Sequence, residues 1–171
     1  MDMIFDLSDR LNFKVVFLWI VELNKVCTFF GHRNAPSYLY ASIKQQAEIL
    51  IKTAGVNHFW VGGYGNFDMM AACSIRELKR TYPHIHLYLI LAYLPQQSKS
   101  ELNYLYNLYD DLIYPEGMEL FPQRLSILKR NAWMAENCDY AICYVCATHG
   151  GAYQAMYIAK QKQKNVINLI Q

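Results

Sequence analysis

Residues 26–33 read Val-Cys-Thr-Phe-Phe-Gly-His-Arg, an apolar run that stops at a glycine and then presents an imidazole and a guanidinium. Apolar, β-branched and aromatic residues in a short run favour a buried β-strand, which we place at residues 25–30. Ligands of open α/β sheets bind beyond the carboxyl ends of the strands. The stretch therefore predicts a strand followed by a ligand-facing turn at Gly31, His32 and Arg33.

Two further glycine turns follow predicted strands. Gly62-Gly63-Tyr64-Gly65 follows the predicted strand at residues 58–61, and Gly150-Gly151 follows the one at residues 140–145. Apolar residues recur at helical spacing between the strands, so that strand and helix alternate about six times after residue 24. This alternation predicts an α/β fold: a Rossmann-like three-layer sandwich, with a mostly parallel sheet of about six strands and helices on both faces.

The length of 171 residues favours one domain, which we place at residues 24–171. Residues 1–23 are predicted to be an N-terminal extension outside this domain. Their apolar stretch, residues 13–23, is shorter than the roughly 20 residues of a membrane span, and the acidic residues before it argue against a signal peptide. We therefore expect a cytoplasmic protein that does not contact a membrane.

Charge and cysteine content narrow the candidate partners. The formal net charge is only +2, which disfavours nucleic acid as a partner. Cys143 and Cys146 have the spacing of a metal or redox pair, but they fall in or next to a predicted strand. Residues three apart on a strand point to opposite faces. We expect reduced cysteines, no metal site and no cofactor.

The three glycine turns supply candidate ligand-binding groups. Arg33 could bind a phosphate or carboxylate through two parallel hydrogen bonds, and His32 could donate to a phosphate or ribose. Backbone N–H groups at a helix N-terminus bind anions. The second and third glycine turns each precede a predicted helix and therefore supply further candidates. These are Gly62, Gly63 and Gly65 in the second turn and His149, Gly150 and Gly151 in the third. A solvated arginine, a histidine whose hydrogen bond is made to the backbone, and plain turns are the alternatives.

Further candidates lie outside the turns. Arg124, Arg130 and Asn131 fall on a predicted helix at residues 122–137, where the spacing supports a solvated basic stripe equally well. Residues 140–171 contain no Asp or Glu. A general acid or base near the third glycine turn would therefore have to be His149, or a carboxylate from elsewhere such as Asp68 or Glu116. Asp68 is also a candidate ligand-binding residue, and capping of a helix is its alternative role.

Several segments, in this order, resemble the SLOG superfamily, the Smf/DprA–Lonely Guy group. They are residues 27–33, 61–68, 91–95, 114–117, 122–124, 130–134, 150–152 and 166–169. The likeness covers residues 25–170 and is strongest to the YspA/YoqJ-like branch of small bacterial and prophage proteins. The resemblance implies a Rossmann-like fold that binds a nucleotide or nucleotide-derived ligand, such as an ADP-ribose-type species, with the glycine turns, Arg33, Arg130 and Asn131.

The resemblance also implies two alternatives, a nucleoside monophosphate phosphoribohydrolase and a DprA-like single-stranded DNA-binding protein. The phosphoribohydrolases carry a P-G-G-x-G-T-x-x-E motif. Here the threonine is missing after Gly150-Gly151, and the glutamate position falls near Met156 or Tyr157. This departure favours a protein that binds or senses a small-molecule nucleotide over an enzyme that cleaves it. The sequence is compatible with either a monomer or a homo-oligomer.

Overall fold

The computed structural model describes residues 24–94 and 99–170. The predicted N-terminal extension and residues 95–98 of a predicted loop lie outside the described residues. The elements, in chain order, are β1 (Lys25–Gly31), α1 (Leu39–Ala54), β2 (Val56–Val61), α2 (Asn66–Thr81), β3 (His86–Ile90), α3 (Lys99–Leu108), β4 (Asp111–Ile113), a 3-10 turn (Met118–Leu120), α4 (Gln123–Asn137), β5 (Tyr140–Tyr144), α5 (Gly151–Gln161) and β6 (Asn165–Asn168).

The six strands form one sheet in the order β4-β3-β2-β1-β5-β6. All five strand pairings are parallel. The chain adds β2, β3 and β4 on one side of β1 and then returns to add β5 and β6 on the other side. The strand order therefore reverses between β1 and β5, and a reversal of this kind opens a crevice at the carboxyl ends of the two strands.

Helices cover both faces of the sheet and complete a three-layer sandwich. Side chains of α1, α2 and α3 pack against one face around Phe29 and Phe59, whereas side chains of α4 and α5 pack against the other face around Phe30 and Met134. Phe29 and Phe30 are neighbours on β1 and point to opposite layers, as the strand's two-residue repeat requires. The predicted Rossmann-like three-layer fold is confirmed.

Helix α1 shows how the sequence dictates one layer. Its buried residues recur at helical spacing and form one apolar stripe, made of Leu39, Ile43, Ala47, Leu50 and Ile51. Gly55 ends the helix in a left-handed conformation with φ of 70° and donates its N–H to the carbonyl of Leu50. The stripe and the glycine together specify where this helix lies and where it stops.

A pair of stacked tryptophans joins α4 to the sheet. Trp60 of β2 stacks on Trp133 of α4, with ring centroids 5.0 Å apart, which fixes that helix over the sheet.

All five cysteines are free; Cys143 is buried in β5, and Cys146 is exposed beyond its end. Among the described residues, no helix combines the length and apolarity that crossing a bilayer requires.

Candidate functional site

A cleft of about 230 Å³ opens at the carboxyl ends of β1 and β2, beside the start of α5. We call it the central cleft. It lies at the point where the strand order reverses, which is the expected ligand position in a sheet of this type. Its lining residues are Phe29, Phe30, Gly31, Arg33, Gly62, Tyr64, Asp68, Ile127, Arg130, Asn131, Met134, Gly151 and Ala152.

The structure thus brings together seven of the residues singled out in the sequence: Gly31, Arg33, Gly62, Asp68, Arg130, Asn131 and Gly151. They come from the end of β1, the turns after β1 and β2, and three helices, and are separated by up to 120 positions in the chain, from Gly31 to Gly151. Gly31 is required by packing, because a Cβ atom at this position would lie within 3.0 Å of the ring of Phe67. The absence of a side chain lets the start of α2 approach the end of β1.

Arg130 forms the floor of the cleft and is only 1% exposed. Its Nη1 donates a hydrogen bond of 2.9 Å to the carbonyl of Ile90, at the end of β3. Its Nε is buried and has no hydrogen-bond partner among the described residues. Burial lowers the pKa of the guanidinium, while the nearby Asp68 opposes that shift. The cleft therefore contains a buried cation with spare hydrogen-bonding capacity.

Gly62 makes room for this guanidinium. A Cβ atom at position 62 would lie within 3.0 Å of Nη1, Cζ and Nη2 of Arg130. The carboxyl end of β2 therefore packs directly on the charged group. Only glycine permits this approach without moving Arg130.

Asp68 supplies the acidic group of the cleft. It is half-buried in the first turn of α2, and a carboxylate oxygen accepts the backbone N–H of Tyr64 at 3.0 Å. Burial raises the pKa of this carboxyl to about 6, against the lowering effects of the Tyr64 N–H, Arg130 and the N–H groups of Gly62 and Gly63. Within the described ranges, no carboxylate forms an ion pair with Arg130. Asp68 therefore influences the arginine only from beyond ion-pair distance.

Two helices begin at the cleft. Gly65 precedes α2 with φ of 88°, and Gly150 precedes α5 with φ of 91°. Both glycines take a conformation that L side chains rarely adopt, and neither can supply a capping side chain. The positive ends of the two helix dipoles therefore favour a negatively charged group nearby. The first N–H of α2, that of Asn66, is donated to the carbonyl of Arg33 at 2.8 Å.

His32 lies next to the cleft but outside its lining. Its Nε2 accepts the backbone N–H of Cys146 at 3.0 Å, and its ring meets the ring of Tyr144 edge-on. The imidazole thus joins the turn after β1 to the turn after β5. The sequence left two interpretations open, a donor to a ligand and a histidine bonded to the backbone, and the observed bond is of the second kind, with the ring as acceptor.

Other candidate residues are placed around the cleft. Gly63, Gly65 and Gly150 lie in the adjoining turns, and His149 is exposed beside them. Arg124 is exposed in the first turn of α4, on a different face from Arg130, because six residues do not complete whole helical turns. Glu116 is exposed before the 3-10 turn. Arg124, His149 and Glu116 are not among the residues that line the described cleft.

Tyr64 is a lining residue that the sequence analysis did not select. The guanidinium carbon of Arg130 lies 5.5 Å from its ring centroid, and its hydroxyl forms a hydrogen bond with the hydroxyl of Tyr93. Burial and this bond raise the pKa of Tyr64 to about 12. Its position within the second glycine turn is the sequence feature that could have identified it as a lining residue. Ile127 and Met134 were also missed, although they stand three residues before and four residues after Arg130.

The fold and the cleft define a Rossmann-like α/β protein with a polar site at the carboxyl edge of its sheet. No protein-family model matches the chain, and no curated protein sequence matches it. The chain is similar in structure to DNA processing protein A (DprA) from Helicobacter pylori, whose single-stranded DNA binding mode has been described. The TM-score is 0.61 and the identity 16%, over 90% of this chain and 68% of that one.

DprA from Streptococcus pneumoniae is similar with a TM-score of 0.60 and 15% identity, over 88% of this chain and 52% of that protein. This chain thus spans about half the length of the pneumococcal protein. The molybdenum cofactor carrier protein of Chlamydomonas reinhardtii follows with a TM-score of 0.51 and 11% identity, over 85% of this chain and 76% of that one. These likenesses establish the fold.

Proposed function

We propose that this protein is a SLOG-type domain that binds a nucleotide or nucleotide-derived ligand in the central cleft. The observation that carries the proposal is Arg130, a buried guanidinium for which residues 24–94 and 99–170 provide neither a hydrogen-bond partner at Nε nor an ion-paired carboxylate. Removing a charge from water is costly unless the charge is paired. A phosphate bound in the cleft would supply the pairing, because guanidinium and phosphate match in charge and in hydrogen-bonding geometry.

The surroundings of Arg130 support an anionic ligand. The starts of α2 and α5 and the exposed guanidinium of Arg33 all favour negative charge at this edge of the sheet. Asn131 adds an amide that can donate to or accept from a ribose hydroxyl. Phosphate and sugar are the two components that this set of groups fits.

The SLOG assignment combines two independent lines of support. The sequence segments that resemble the superfamily include the three glycine turns and the Arg130-Asn131 pair, which meet at one cleft. The second line is the structural similarity to DprA, a protein of the same group. Membership of the YspA/YoqJ-like branch, ligand sensing and a prophage setting remain parts of the proposal.

Thermal unfolding in the presence of AMP, ADP-ribose and cyclic ADP-ribose tests this function. A ligand at 100 times its Kd stabilises a folded protein by about 2.7 kcal/mol, which raises the Tm of a domain of this size by about 5–10 °C. Arg130→Met should fold, since a buried charge can often be replaced by an apolar side chain of similar volume, but should lose the ligand-induced shift. The absence of a shift with every nucleotide at millimolar concentration would contradict the proposal.

Asp68 favours a second candidate function, hydrolysis of the N-glycosidic bond of a nucleoside monophosphate. A carboxyl whose pKa is raised to about 6 is close to the pH at which general acid–base catalysis is most effective. Glu116 is less suited, because it is exposed outside the lining of the cleft. Release of free base from AMP, detected by chromatography and abolished in Asp68→Asn, would support hydrolysis. No release at high protein concentration would exclude this activity for AMP.

Titration with a single-stranded oligonucleotide forms a separate arm of the same experiments, because single-stranded DNA binding is described for the Helicobacter protein. Binding to phosphate backbones weakens steeply as salt rises. Salt-sensitive binding of the oligonucleotide that Arg130→Met removes would identify DNA as the ligand of this cleft. Binding of mononucleotides alone would assign the cleft to a small molecule.

A further inference from the structure

A second and larger cavity lies beside the central cleft. Its volume is about 430 Å³, and it is formed by the chain after β3, the segment between β4 and α4, and the first turn of α4. We call it the aromatic pocket; its lining includes Tyr93, Tyr114, Glu119, Phe121, Gln123 and Ser126. Three of these six are aromatic. Among the described residues that line it, none is basic.

The two cavities share a boundary. Tyr64 lines the central cleft and Tyr93 lines the aromatic pocket; their hydroxyls are hydrogen-bonded and their ring centroids are 6.4 Å apart. Helix α4 provides a second link, because the consecutive residues Ser126 and Ile127 line the pocket and the cleft respectively. A ligand that fills the cleft therefore has an adjoining cavity available on the far side of the tyrosine pair.

Size indicates that the cleft does not hold a whole nucleotide by itself. Pockets that enclose small-molecule ligands have volumes of roughly 300–1,000 Å³. The central cleft, at about 230 Å³, falls below this range, whereas the adjoining pocket, at about 430 Å³, lies within it. A nucleotide whose phosphate lies in the cleft would therefore reach the usual degree of enclosure by extending into the adjoining pocket.

The chemistry of the two cavities differs in the way that the two ends of a nucleotide differ. The cleft presents the buried cation Arg130, whereas the pocket presents aromatic side chains, the carboxylate of Glu119 and the amide of Gln123. A nucleobase stacks on aromatic rings and offers N–H groups to carboxylate and amide acceptors. No lysine or arginine is among the described residues that line the pocket, and the Nζ of Lys129 lies 4.7 Å from the ring centroid of Phe121. The aromatic rings and the two acceptor side chains therefore fit a base.

We propose that the aromatic pocket is the base-binding subsite of the central cleft. This inference rests on the proposed function and assigns its ligand to nucleoside phosphates whose base lies between Tyr93, Tyr114 and Phe121 while the phosphate pairs with Arg130. Binding breaks no covalent bond. The Tyr64–Tyr93 pair lies where the sugar joins the two ends of the ligand.

Isothermal titration of the full chain with AMP, GMP, CMP, UMP and ribose 5-phosphate tests the proposal. We expect at least one nucleoside monophosphate to bind 10-fold or more tightly than ribose 5-phosphate, since stacking of one base on aromatic side chains commonly contributes this much. Tyr114→Leu and Phe121→Ala should each weaken binding of that nucleotide about 10-fold. Neither variant should change the affinity for ribose 5-phosphate.

The matched control is Tyr104→Ala, which removes a 63% exposed tyrosine that lines neither cavity and should change no affinity. Thermal unfolding establishes that each variant is folded. Unchanged nucleotide affinity in both Tyr114→Leu and Phe121→Ala would overturn the subsite, as would an equal loss for nucleotide and ribose 5-phosphate.

Arg130→Met separates this inference from the proposed function. Loss of nucleotide binding in Arg130→Met with unchanged binding in the pocket variants would refute the subsite and leave the anion cleft intact. Equal binding by the unaltered protein and Arg130→Met would refute the cleft as the phosphate site. Failure of all five ligands to bind would overturn the subsite, and the proposed function would be overturned as well if ADP-ribose and cyclic ADP-ribose also gave no thermal shift.

Discussion

Gly62 and Arg130 are packed so closely that each position determines the other. The guanidinium occupies the space that a side chain on residue 62 would take, and its Nη1 is held by the carbonyl of Ile90. The carboxyl ends of β2 and β3 thus position one buried cation between them. The alignment of this charge depends on the absence of a single methyl group at the end of β2.

The substitution Gly62→Ala should therefore displace Arg130. We expect a loss of about 1–3 kcal/mol in the free energy of unfolding, which is usual for overpacking a buried site, and at least a 10-fold weaker nucleotide affinity. Chemical denaturation and calorimetric titration measure the two effects. Gly55→Ala is the control: its added Cβ meets no atom within 4 Å, so only its φ of +70° should cost about 1 kcal/mol, with ligand affinity unchanged. Intact binding in Gly62→Ala would refute this account.

Asp68 predicts a pH dependence of both stability and binding. Its folded pKa, about 6, lies above the ordinary value of 3.8, so the folded state binds the proton more tightly than the unfolded state does. This carboxyl therefore favours the folded state most at low pH, and its contribution falls as pH rises from about 4 to 6. Asp68→Asn should flatten the stability profile in that window, as measured by denaturation at several pH values.

The affinity for ADP-ribose should also rise as pH falls from 7 to 5, because a protonated Asp68 no longer repels the ligand. The pyrophosphate of ADP-ribose carries the same charge throughout this range, so the change reports on the protein. Titrations of Asp68→Asn should give an affinity that is nearly constant with pH. A pH profile that is the same with and without the carboxyl would show that Asp68 does not face the bound anion.

The imidazole of His32 should act as a structural brace. His32→Ala leaves the N–H of Cys146 without its partner, and we expect a loss of about 0.5–1.5 kcal/mol in the free energy of unfolding. Hydrogen exchange at the Cys146 amide should accelerate at the same time. His84→Ala removes an exposed histidine and should have neither effect. An unchanged exchange rate in His32→Ala would mean that this bond does not hold the two turns together.

Two exposed arginines provide a comparison between the lining and the outside of the cleft. Arg33 lines the cleft, whereas Arg124 is exposed outside it. We expect Arg33→Gln to weaken nucleotide binding about 5-fold, since an exposed ion pair contributes up to about 1 kcal/mol, and Arg124→Gln to leave the affinity unchanged. Calorimetric titration measures both. Equal losses in the two variants would indicate a general effect of net charge.

Much of the fold could be predicted from the sequence, because buried strands and helix stripes leave local patterns. The apolar stripe of α1 and the run that becomes β1 are examples. Strand ends were less accurate: the predicted strand at residues 166–170 is β6, Asn165–Asn168. Pairing with β5 sets these ends through hydrogen bonds, and hydropathy does not report on such pairing.

The site was only partly predictable. The glycine turns marked the carboxyl edge of the sheet, and these turns indeed contribute to one cleft. The burial of Arg130 could not be derived from its helix, because the local sequence is equally consistent with a solvated arginine at this position. Burial depends on Gly62 and the carbonyl of Ile90, which lie 68 and 40 positions away in the chain. The contact between Tyr64 and Tyr93 is likewise a product of the tertiary fold.

The buried guanidinium of Arg130 affects how the protein behaves before it binds its ligand. Folding has already removed Arg130 from water and fixed its direction, so the cost of desolvating and orienting the cation does not recur at each binding event. The cleft thus holds the cation of an ion pair in position, and the anion that completes the pair comes from solution. Under the proposed function, the stability of the empty protein should therefore vary with the anions dissolved around it.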